Sequence, residues 1–210
     1  MAISGATTKL TDDDLLRRML DGDEDAFSAL YRRHQGGVYR FALQMTGNPA
    51  ASEEVTQDAF MTLIREARRF DPRKGSVKAF LYGIGRNYSL RHLERERQYV
   101  PLLEMMPDGD GLEALGREGM PQPDLLSDLT RSEAIDQIRN AVLALPENYR
   151  EVVVLCDLHE MGYAEAAGIL GCAVGTVRSR LHRGRALLVA KLRSACHVAV
   201  DASSDRAPRL

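Results

Sequence analysis

The stretch from Tyr163 to Lys191 admits few folds. It reads as a short helix to Leu170, a glycine turn at Gly171, Cys172 and Ala173, and a longer helix loaded with arginine. In that second helix Val174, Val177, Leu181, Leu188 and Leu192 recur at spacings of three, four and seven, so they share one side, which must be buried. Gly175, Ser179, His182 and Ala186 fall on the opposite side, flanked by Arg178 and Arg183. A small polar face with cationic shoulders suits a DNA major groove, where arginine can grip guanine O6 and N7. The competing reading is a solvated amphipathic helix whose charges are only its wet side.

At 210 residues the chain holds one large domain or two small ones, and 44% hydrophobic with 28% charged residues is ordinary for a soluble globular protein. No apolar run approaches the roughly 18 residues that span a bilayer. Met1 to Leu20 is polar and acidic, unlike a signal peptide. Three widely spaced cysteines, Cys156, Cys172 and Cys196, argue against a disulfide framework and for a reducing, cytoplasmic setting.

The net charge of −2 conceals an uneven spread. Residues 31–98 carry thirteen Lys and Arg against seven acids, whereas residues 99–130 carry one against seven. Residues 1–30 come to −4 and residues 131–210 to +2. Two basic blocks around an acidic one suggest two nucleic-acid-facing modules joined by a segment that avoids phosphates.

That acidic segment, Tyr99 to Leu129, contains Pro101, Pro107, Pro121 and Pro123 and four glycines, and reads as a flexible linker. Everything before it reads as helix. Asp12 to Leu20 is a capped start, and Asp25 to Met45 carries Phe27, Leu30, Tyr31, Val38, Phe41 and Leu43 as its apolar set. Asn48 and Pro49 form an N-cap and first helical residue for a helix reaching Phe70. A basic loop, Asp71 to Gly75, precedes a helix from about Val77 to Gln98. After the linker, Ser132 to Ala144, Glu147 to Leu158 (with Pro146 expected at its N1 position) and the arginine-bearing pair make a four-helix unit. The expected fold is all-α, with domains at 1–98 and 131–195, a linker at 99–130 and a frayed tail at 196–210.

In the helix from Asn48, Val55, Ala59 and Leu63 form a buried seam, and Glu53, Glu54, Gln57, Asp58 and Met61 lie around the other side. Acids around an exposed Met suit docking to a basic protein rather than to DNA. Beyond the basic loop, aromatics stand next to cations from Gly75 to Asn87, the pairing that single-stranded bases require. Asn87, Arg91 and Arg95 follow one line along that helix, while Leu81 and Ile84 read as core. Gly83 and Gly85 have no strand before them and make no dinucleotide site.

With these residues in view, the chain resembles the extracytoplasmic-function (ECF) sigma factors, the minimal two-domain class of bacterial sigma factors. The resemblance rests on Glu53 to Phe60, on Phe80-Leu81-Tyr82 with Arg86-Asn87, on Leu145 to Val152 and on Val174 to Arg185, all in order and covering about residues 12–98 and 131–193. It implies an alternative sigma factor that binds RNA polymerase core and directs promoter-specific initiation. Glu53, Glu54, Gln57, Asp58 and Met61 would then meet the coiled coil of the largest subunit. Ser76, Lys78, Asn87, Arg91 and, on the same line, Arg95 would contact the −10 strand. Arg178, Ser179, His182 and Arg183 would read the −35 bases, with Thr176, Arg180 and Arg185 on phosphates. An anti-sigma factor is a further implied partner. No membrane, cofactor, metal or small-molecule substrate is expected.

The chain departs from the family pattern at four places. Phe80 stands where tryptophan is usual, Arg91 where an acid or amide is usual, and Ala51-Ser52-Glu53-Glu54 replaces a more acidic run. Gly162 and Ala166 replace a capping serine and a larger apolar residue, which should weaken that helix. A rival reading is a helix-turn-helix regulator that acts without polymerase; it would not need the acidic docking face. A decoy that binds polymerase without promoter function would not need the arginine face. An enzyme is not expected, since no Walker loop, His-Glu-x-x-His or nucleophile elbow occurs, and Cys156 with His159 is too few ligands for a metal.

Overall fold

The computed structural model describes residues 10–103 and 125–204, with side chains over 10–98 and 134–193. Among them are eight α-helices and no strand: α1 (Asp12–Leu20), α2 (Glu24–Thr46), α3 (Pro49–Glu66), α4 (Val77–Leu103), α5 (Leu125–Leu143), α6 (Glu147–Val153), α7 (Tyr163–Leu170) and α8 (Val174–Ser204). A 3₁₀ turn, Ala67–Arg69, ends α3, and a π turn, Val154–Leu158, extends α6.

Local chemistry sets most of the boundaries. Thr11 and Asp14 close a reciprocal capping box on α1, with the Asp14 amide donating to Thr11 Oγ1 at 3.2 Å. Asp23 caps α2 by accepting from two amides, and Gly47 ends it in the left-handed region at φ 72°. Asn48 Oδ1 accepts the Ala51 amide at 3.2 Å, and Pro49 occupies the first turn of α3, as the sequence leads one to expect. Pro146 differs by one place. It is the N-cap of α6 rather than its first helical residue, with an extended ψ of 143°.

The first module packs α1 to α4 around Leu30, Val38, Phe41, Met45, Val55, Leu63, Val77 and Leu81, each with at most 1% of its surface exposed. Full burial of such side chains contributes about 1.5–3 kcal/mol each. The second module packs α6, α7 and α8 around Val152, Val153, Leu155, Val177 and Leu181. Tyr31, read from the sequence as core, is 37% exposed; the inward face of α2 is completed instead by Ala26, Ala42 and Met45.

The two modules are not held apart. Their cores form one continuous cluster, and several polar ties cross between them. Arg86 Nε donates to Glu151 Oε1 at 2.7 Å, with only 5% of the Glu151 side chain exposed. Arg97 pairs with Glu147. Arg150 donates to the carbonyl of Met45 at 2.6 Å and also to the carbonyls of Leu143 and Leu145. Burial lowers the hold of that guanidinium on its proton.

His159 is a further tie. Its backbone amide closes the π turn by donating to Val154, and its ring lies edge-on to Phe41 and Tyr82. Nδ1 meets the Tyr82 hydroxyl at 2.8 Å, and Nε2 meets Gln44 Oε1 at 2.8 Å. Burial, then the nearby Lys78 and Arg40 charges, pull the imidazole pKa down to about 4, and burial pushes the Tyr82 phenol up to about 12. With both ring nitrogens engaged, His159 has no lone pair to offer a metal beside Cys156.

Helix also enters the expected linker from both ends, since α4 continues to Leu103 and α5 begins at Leu125. Pro101 sits in the last turn of α4, where it has no N–H to donate back along the helix. The middle of the expected linker, residues 104–124, lies outside the described residues. The tail differs too: α8 runs to Ser204, through residues expected to fray, and 205–210 lie outside the described residues.

Candidate nucleic-acid interface

The arginine-bearing helix is presented by a turn only glycine adopts cheaply. Gly171 ends α7 at φ 62°, its amide donating to Ala167, and the Thr176 and Val177 amides return to Ala173 at the start of α8. Val177 and Leu181 then face inward with 0% and 2% exposure. Gly184 allows α8 to approach α6 closely: a Cβ there would lie 2.9 Å from Val153 Cγ2.

With that side buried, Arg178, Ser179, His182 and Arg183 are all exposed, and Thr176 and Arg180 are half-buried at the edges. Arg183 and His182 make no ion pair among the described residues, so both are available to a ligand. Arg178 lies over the Tyr163 ring at 5.8 Å, and the Ser179 hydroxyl donates to the Thr176 carbonyl. Arg185 is different. Asp157 grips it through two hydrogen bonds of 3.0 and 2.6 Å, which raise the guanidinium pKa above its ordinary value.

The residues expected to meet a single strand are only partly gathered. Ser76, Phe80, Gly83, Ile84 and Asn87 line one cleft of about 720 Å³, together with the basic loop from Arg69 to Gly75. Phe80 is half-buried against Phe70, ring centroids 5.6 Å apart. Lys78 lies elsewhere: its ammonium donates to the His159 carbonyl at 3.2 Å and sits 5.7 Å from the Tyr82 ring. Tyr82, 3% exposed, is unavailable for stacking. Arg91 and Arg95 are exposed farther along α4, with Arg91 over the Tyr88 ring at 5.5 Å.

On α3, Glu53, Glu54, Gln57, Asp58 and Met61 are all exposed above the buried seam. Three of them (Glu53, Gln57 and Met61) rim a groove of about 670 Å³ whose walls include Phe27, Tyr31, Tyr39 and Phe60. Tyr31 stacks edgewise on Phe60 at 4.8 Å. Sequence reasoning placed two of these rings, Phe27 and Tyr31, in the apolar set of α2. Their spacing on α2 could not reveal that the α2–α3 crossing leaves a furrow over them. Glu165 and His159 were missed as well, because their partners lie 89 and 115 positions away.

These features define a class: a two-module helical protein with an exposed arginine-bearing helix in one module and an exposed acidic helix in the other. Residues 30–99 match the model for Sigma-70 region 2, and residues 135–188 match that for Sigma-70, region 4. The ECF sigma factor SigE of Mycolicibacterium smegmatis is 33% identical over 167 residues, which are 78% of this chain and 62% of that protein. The ECF sigma-E factor of Escherichia coli is 30% identical over 84% of this chain and 92% of its own length. CnrH, solved in complex with the cytosolic domain of CnrY, aligns with TM-score 0.63 and 27% identity over 87% of this chain and 97% of its own. The sigma factor RpoE of Bartonella quintana, solved with the anti-sigma factor NepR, shares the fold at TM-score 0.61 and 23% identity over 80% of this chain and 96% of its own. The chain belongs to the ECF family of RNA polymerase sigma factors, alternative sigma factors of transcription initiation. No helix among the described residues is long and apolar enough to cross a membrane.

Proposed function

We propose that this chain, working in the cytoplasm, binds RNA polymerase core through α3, captures the unpaired −10 strand along α4 and reads the −35 element with α8. It supplies binding energy and specificity and catalyses no reaction itself. The observation that carries this reading is the pairing, in one chain, of an exposed Arg178–Arg183 face with an exposed acidic face on α3. A regulator that worked without polymerase would have no use for the second. Domain limits of 1–98 and 131–195 fit this division of work, with the acidic segment between them free of phosphate contacts.

Base reading falls to Arg178, Ser179, His182 and Arg183, and phosphate contacts to Thr176, Arg180 and, once released from Asp157, Arg185. Glu53, Glu54, Gln57, Asp58 and Met61 present acid around a soft apolar centre, which suits a basic coiled coil. The aromatic groove beside them would also seat an anti-sigma factor. The test is reconstitution of the purified chain with core polymerase on a genomic fragment library. Promoter-specific transcripts are expected. DNA binding without core association would support the stand-alone regulator instead.

A further inference from the structure

Two of the five residues read as strand contacts, Ser76 and Lys78, are engaged by the second module, and a third, Asn87, lines a cleft that module helps to close. Ser76 caps α4 by accepting the Ala79 amide at 3.0 Å, and its hydroxyl donates to Glu165 Oε1 of α7 at 2.6 Å. Ala164, Glu165, Gly168 and Ile169 of α7 close one side of the cleft that holds Phe80 and Asn87. Lys78 is spent on the His159 carbonyl. The α8 face, by contrast, stays exposed in the same arrangement.

We propose that the chain is self-latched: α7 occludes the cleft for the unpaired promoter strand, and the Glu165 carboxylate stands where a phosphate of that strand would sit. The idea rests on reading Ser76 and Asn87 as strand contacts. Its physical basis is competition for the same donors. A carboxylate accepts from a hydroxyl at the positive end of a helix much as a phosphate oxygen does. Other ties between the modules, among them Arg86 to Glu151 and His159 to Gln44 and Tyr82, hold α7 over the cleft without blocking Arg183 or His182. The latched chain can therefore meet duplex DNA while being unable to hold a melted strand. Strand capture requires the modules to part.

The test uses the full chain and fluorescein-labelled decathymidylate, followed by anisotropy, with amide hydrogen exchange recorded in parallel. Glu165→Ala and Glu165→Gln are expected to bind at least threefold tighter than wild type and to lose protection in α7. Asp21→Asn, which removes an exposed acid from the turn after α1, controls for net charge and should change neither. Equal, measurable binding by wild type and both Glu165 variants would overturn the latch alone. A matching gain in Asp21→Asn would also overturn it, by reducing the effect to bulk charge. No binding by any variant would strike the strand-contact reading, and the latch would fall with it.

Discussion

Glu160 is the only non-glycine residue with positive φ among the described residues, at 54°. It follows His159 where the π turn ends, a position that favours glycine because a Cβ crowds the carbonyl there. Glu160→Gly should stabilise the fold by about 0.5–1 kcal/mol, the relief of strain less the added unfolded-state entropy. A higher urea midpoint with an unchanged slope would bear this out. Arg183 carries the functional counterpart. Arg183→Ala should lose about 1–3 kcal/mol of discrimination at one −35 base pair, the worth of a bidentate guanine contact. Promoter competition assays would show it as relaxed choice at that position, and unchanged discrimination would remove Arg183 from the reading face.

At the scale of elements, the contact between α6 and α8 depends on Gly184. A methyl there would lie 2.9 Å from Val153 Cγ2 and 3.4 Å from the Tyr149 carbonyl, both well anchored. Gly184→Ala should therefore cost about 1–3 kcal/mol by overpacking, visible in thermal unfolding. Helix limits governed by short-range chemistry were legible in the sequence: Thr11 capping α1, Asn48-Pro49 opening α3, and the Val177–Leu181 stripe. Pro101 misled because a proline disfavours a helix without forbidding it, and α4 carries on to Leu103. The rings around Tyr31 misled because periodicity shows which residues share a face, not whether a neighbour covers it. The seat of His159 was illegible for a different reason. Nothing local in Leu158-His159-Glu160 signals Gln44 or Tyr82, which only docking of the modules brings near.

The whole molecule should answer to pH through that docking. With the unfolded imidazole near 6.5 and the packed one at about 4, the open chain binds the proton more readily. Packing between the modules is then fully present above pH 6.5 and weakens as pH falls toward 4. Lys78 and Arg40 face the same pocket as positive charges and reinforce the sign; Arg33, His34, Tyr82 and the acid Glu160 also line it. Hydrogen exchange in α7 measured from pH 7 to 5 should rise once corrected for intrinsic rates, and His159→Gln should flatten the trend. The pair of Arg86 and Glu151 makes a separate prediction. Glu151→Ala leaves a mostly buried guanidinium without its carboxylate, a loss of about 3 kcal/mol for a buried pair. Calorimetry should then resolve two unfolding transitions where wild type shows one.

Arg150 has a consequence of another kind. Its guanidinium answers carbonyls at the tail ends of two helices, α2 through Met45 and α5 through Leu143, plus that of Leu145. Helix tails are short of hydrogen-bond donors, and here one planar fork serves both. The front half of the protein thus takes one of its helix-end donors from the back half. Severed from residue 150, the Met45 carbonyl of α2 would lose this donor, so dividing this polypeptide into its two named regions cuts through a shared part rather than around one.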